Sequence, residues 1–349
     1  MKFETSRALS VLALTSVVTC ALTAVTTGSA SAKGYSLVNK MTVGGTGTWD
    51  YLYMDSAARR LYVTRQTHLM VINVDTHKVI GDITGLNGIH GVALDKAKGY
   101  GYVTNGKANS VVMFSLATLA KKKEIPVGEG PDAIVFDPAT QRVFAFNGHG
   151  KSFTAIDGAT GNVIKTVSLA GRPEFPTADG KGHIYDNLED LSSVISIDTK
   201  TLAVEKTWPI APGDSPSGST YNAKANRIYS VCANNLLTVL DPSTGKVVTT
   251  LPIGNGPDAC VFDAAAKLLY SPNGKDGTMT VYHEETPDKY TLVTTFNTQV
   301  SAKTMALDPQ THHVWVGAAI LLPPDPTTDG SKPKKKYKPG SFVLLEYGK

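Results

Sequence analysis

The sequence predicts an all-β chain folded as a seven-bladed β-propeller with four antiparallel strands per blade. Three observations carry this. Short segments ending in Asp or Asn recur seven times at a near-constant spacing. The runs between them are rich in Val, Ile, Tyr and Thr and are broken by Gly, Pro, Asn and Asp. The last copy is one strand short, and residues 35–45 supply a spare.

The recurring segments end at Asp55, Asp95, Asp137, Asp179, Asn222, Asp263 and Asp308, with spacings of 40, 42, 42, 43, 41 and 45 residues. Each ends a first strand. A second follows ("RLYVTR", "YGYVTN", "RVFAFN", "RIYSVC"), then a third ("LMVINVD", "SVVMFSL", "LTVLD"). A turn such as "DPSTGK" leads into a fourth, "VVTTLPIG". Four short strands at this period make one propeller blade. A helical repeat of the same period needs amphipathic stretches of about 10–15 residues, which the glycines and prolines interrupt. The last copy reads "HVWVGAAIL", an insertion, then "GSFVLLEYG". "YSLVNKMTVGG" resembles the fourth strand of other copies, so the N-terminal strand is expected to complete blade seven and leave no open sheet edge.

Before the repeats, Lys2 and Arg7 precede an apolar run from Ala8 to Val25, and small residues end at "SASA". This pattern predicts a signal peptide over 1–32, cleaved after Ala32, and a single propeller domain over 33–349. Thr19 before Cys20 argues against a lipoprotein signal. The mature chain contains no other apolar stretch long enough to span a bilayer as a helix. The expected location is therefore periplasmic or extracellular. The 349 residues are 42% hydrophobic and 18% charged, a globular balance, and the net charge of +4 is too small to imply nucleic acid. Cys232 and Cys260 remain after cleavage; export permits a disulfide between them, and two buried thiols are the alternative.

The stretch "YVTN" at 102–105 resembles the YVTN-repeat propellers, as does "GPDAIVFD" at 130–137 with its near copy "GPDACVFD" at 256–263. The resemblance covers nearly all of the chain from residue 34. It implies the propeller fold and an exported or surface protein, and carries over no catalytic motif. Some members of that family bind DNA, and related propellers include lactonases and parts of redox enzymes.

Function is read from the register. The residues five before each anchor are Asp50, His90, Asp132, Glu174, Ser217, Asp258 and Lys303. A closed ring brings them to one mouth of the axial channel, the top face. Clustered carboxylates there would concentrate negative potential and hold a divalent metal ion or a cationic ligand through oxygens. Asp after Gly-Pro also caps turns, so a purely structural ring is the alternative. Further metal candidates are His149 and Glu189, which with His90, Asp132 and Glu174 fall on blades two to four and offer mixed nitrogen and oxygen ligands. Ten residues after their anchors, Arg65, Asn105, Asn147 and Asn273 are further ligand-binding candidates. If the chain is an enzyme, His90 and Glu174 are the expected catalytic residues of a metal-dependent hydrolase or lactonase.

Residues 321–340 form a Pro-, Gly- and Lys-rich loop insertion in blade seven, over the same face. Few aromatics accompany its lysines, so a platform for single-stranded nucleic acid is not supported. The sequence lacks G-x-S-x-G, a P-loop, H-E-x-x-H and C-x-x-C-H. The reading is an exported, monomeric binding protein for a small cationic or metal-containing ligand or an envelope partner. A hydrolase and a ligand-free interaction scaffold are the alternatives.

Overall fold

Seven four-stranded antiparallel sheets are set in a ring in the computed structural model, which describes Met1, residues 34–324 and residues 335–349. The expected signal peptide and the middle of the lysine-rich loop lie outside the described residues. Blade one comprises Leu52–Asp55, Arg60–Arg65, His68–Asn73 and Lys78–Ile83. Blades two to six begin with Ile89–Asp95, Pro131–Asp137, Pro173–Ala178, Pro216–Asn222 and Val261–Asp263. In each of these six the strands pair in chain order, the first being the innermost. Blade seven begins with Met305–Asp308 and is completed by Ser36–Thr42, which pairs antiparallel with Val343–Gly348. Helix among the described residues is limited to two single 3₁₀ turns, Gly106–Ala108 and Glu189–Leu191.

The anchors earn their recurrence at the bottom face. Each first strand ends on, or in blade four one residue before, a side chain that caps the following turn: Asp137 accepts from the amides of Ala139 and Thr140, Asp179 from those of Lys181 and His183, and Asp263 from those of Ala265 and Ala266. Several also tie neighbouring blades together. Arg59 of blade one donates to Asp308 of blade seven at 2.7 Å, and Lys96 of blade two reaches Asp55 of blade one at 3.3 Å.

The core lies between adjacent blades. Tyr62, Leu69 and Val71 of blade one pack against Val92, Val103 and Phe114 of blade two, all buried. The N-terminal strand enters the same way: Tyr35 stacks on Phe296 at 5.0 Å and shares a 2.8 Å hydrogen bond with the Tyr270 hydroxyl. Cys232 and Cys260 are buried and free, so the thiol alternative holds. Burial pushes the Cys232 thiol up to about 12.

The described ends of the insertion in blade seven pair antiparallel, Leu321–Leu322 with Lys336–Tyr337. Tyr337 packs on Trp49 at 4.9 Å, which fixes the base of the loop beside the axial mouth.

Candidate axial site

The register residues sit where the chain enters each innermost strand: His90, Asp132, Glu174 and Ser217 are the second residues of theirs, while Asp50, Asp258 and Lys303 lie two or three residues before theirs. Threonine hydroxyls fasten these loops. Thr304 donates to the Asp50 carbonyl and Thr104 to the Asp132 carbonyl, each at 2.7 Å, while the Ser217 hydroxyl reaches the Pro257 carbonyl at 3.2 Å.

From Asp258 through Lys303, Asp50 and His90 to Asp132 the side chains alternate in charge around the mouth. Lys303 lies between Asp258, with which it makes a short ion pair, and Asp50, 3.6 Å away. The His90 Nδ1 donates to Asp50 at 2.7 Å and stands 3.3 Å from an oxygen of Asp132. Arg172 clasps Glu174 at 3.2 Å and Glu189 at 2.6 Å. Sequence register missed Arg172, which lies two residues before Glu174 in a copy that reads "GRPEF" where others read "GPDA". The signal was present: it is the one basic residue in that loop, next to a carboxylate that needed a partner.

Protonation follows from burial and neighbours. Burial and then the charges of Asp132 and Asp258 push the Glu174 carboxyl up to about 9, against a weaker pull from Arg172. Asp132 is raised to about 6, mostly by burial, with His90 opposing and Asp50 assisting. Burial also disfavours charge on Asp50 and on His90. Lys303 and His90 overcome it for Asp50, whose pKa falls; the hydrogen bond to Asp50 and the Asp132 charge overcome it for His90, whose pKa rises. Tyr51 forms the floor beneath. Its ring meets Phe175 edge-on at 4.9 Å. Its phenol is held well above the ordinary value by burial and by Glu174, Asp132, Asp50 and Asp258.

Asp50, His90 and Asp132 each offer a ligand atom, all within 4.8 Å of one another. Donors to a tetrahedral metal with bonds of about 2.1 Å lie about 3.4 Å apart, so this spacing fits with little movement. Asp132 Oδ1, 3.3 Å from the His90 Nδ1, and Glu174 Oε2, 3.2 Å from the Arg172 guanidinium, are buried and make no hydrogen bond beyond these ion contacts. The group differs from the expected set: Asp50 takes the third place, while Glu174 and Glu189 are engaged by Arg172 and His149 lies against Gly130.

The outer candidates are spent on structure. Arg65 is buried, lies 3.9 Å above the Phe342 ring and donates to the carbonyls of Gly44 and Thr46. Asn105 receives the Asn87 amide; Asn147 donates to Ser152 and Thr154, and Asn273 to Thr278 and Thr280. These bonds order the turns of their blades.

No protein-family model matches the chain, and no curated protein matches it. Among solved structures it is similar to Kuenenia stuttgartiensis hydrazine synthase, with a TM-score of 0.68 at 18% identity over 78% of this chain and 94% of that one. At that identity the likeness establishes the β-propeller fold and nothing more.

Proposed function

We propose that the chain is an exported binding protein whose axial mouth takes a compact cation, a divalent metal ion or the cationic group of a small ligand, on Asp50, His90 and Asp132. The observation that carries this is the convergence of those three donors, with the buried Asp132 Oδ1 held only by its 3.3 Å approach to the His90 Nδ1. A metal would replace the His90 Nδ1 proton that now lies between the imidazole and Asp50. The mixed nitrogen and oxygen set suits zinc or manganese better than calcium. Export rests on the leader-like residues 1–32, and the "YVTN" motif supports a place among exported YVTN-type propellers.

The test is calorimetric titration of the chain from residue 33, first stripped with chelator, using zinc and manganese chlorides. One ion per chain is expected, with affinity falling at least tenfold in Asp132→Asn and in Asp50→Asn. Affinity unchanged in both variants would remove the site.

A second reading, a hydrolase acting on lactones, draws on Glu174: burial and the Asp132 and Asp258 charges push its carboxyl up to about 9 at the same mouth, beside Arg172 at 3.2 Å, which would suit a general acid. Turnover of a lactone panel abolished in Glu174→Gln, with metal binding intact, would support it.

A further inference from the structure

Below the Tyr51–Phe175 floor the channel changes character. Two cavities of about 540 and 600 Å³ open there, one on each side of Tyr53 and Phe175, which line both. The larger is bordered by polar groups such as Ser219, Thr177 and Asp263. The smaller is walled by Leu52, Val92, Leu94, Ile134, Val135 and Phe136. Its side-chain polar groups are the hydroxyls of Tyr51 and Tyr53 and the rim residue Lys96, which is already paired with Asp55 at 3.3 Å.

We propose that this smaller cavity is a second binding site, reached from the bottom face, for a neutral and mostly apolar small molecule carrying a hydroxyl or carbonyl. Three features select that class. The volume falls within the range of small-molecule sites. Val135, Phe136, Tyr53 and Phe175 are only half-buried although they face a concavity, so an apolar occupant would remove their surface from water. A charged ligand would find no free counter-ion, since Lys96 is engaged and the carboxylate ring lies above the floor. The hydroxyl or carbonyl is served by the innermost strands, which are sheet edges whose axial backbone groups have no ladder partner. This site is independent of the cation site above it.

The experiment titrates the chain from residue 33 with the neutral fluorophore N-phenyl-1-naphthylamine and, in parallel, with the anionic anilinonaphthalene sulfonate. Saturable binding of one neutral probe per chain is expected, with weaker binding of the anion. Ala97 is exposed at the rim, and Ala97→Trp should cover the entrance and weaken the neutral probe at least tenfold with the melting temperature unchanged. Val135→Gln, in the wall, should weaken it without unfolding the chain. Non-saturable binding, binding indifferent to both variants, or preference for the anion would overturn the proposal.

Discussion

Asp186 is a buried carboxyl with no partner. Both its carboxyl oxygens are buried without a hydrogen-bond partner, between the buried Ile184 and Leu188 on the same face of the strand. Burial alone raises its pKa well above the ordinary aspartate value. At the equivalent position the first, second and seventh blades carry Val63, Val103 and Val316. Asp186→Val should therefore stabilise the chain by about 1–3 kcal/mol in urea unfolding. Since the carboxyl titrates higher in the fold than unfolded, the wild-type chain should lose stability as pH rises above about 4, and the variant should lose less. Glu174 adds a similar slope: it ionises near 9 in the fold against 4.5 unfolded, so its contribution holds in acid and drains between those values. Its replacement by Gln should flatten that part of the stability profile. For His90 the sign concerns binding. Its raised pKa makes a bound proton compete with metal, so metal affinity should climb with pH through neutrality and level off once the imidazole is neutral.

At the scale of the element, the innermost strands and their anchors were legible because each anchor does the same local job, capping a turn, and that job leaves a residue type in the sequence. The mouth was half legible. Register alone places Asp50, His90, Asp132 and Lys303 together, and they do meet. Register could not say that Arg172 would reach across from an off-register position, nor that Asn105, Asn147 and Asn273 would turn inward to their own blades, because side-chain direction depends on the loop. The closing strand makes a sharper prediction. Tyr35 is 9% exposed, stacked on Phe296 and bonded to Tyr270. Tyr35→Ala should cost about 3 kcal/mol in thermal or urea unfolding, as loss of a buried aromatic does.

Across the whole molecule, stability comes from seven similar seams and not from one central core, the centre being a channel. Neither thiol takes part in holding those seams by a covalent bond. The native chain from residue 33 should resist Ellman's reagent, release two reactive thiols on unfolding, and melt at the same temperature with or without reductant. The pairing of Ser36 with Gly348 has a temporal side as well. A chain synthesised from its N-terminus has its closing strand Ser36–Thr42 from the start, yet the partner of that strand, Val343–Gly348, comes after all the other strands. Until then six blades can assemble as an open arc while one strand waits, unclaimed, at the seam, and the circle shuts only when the two ends of the polypeptide find each other.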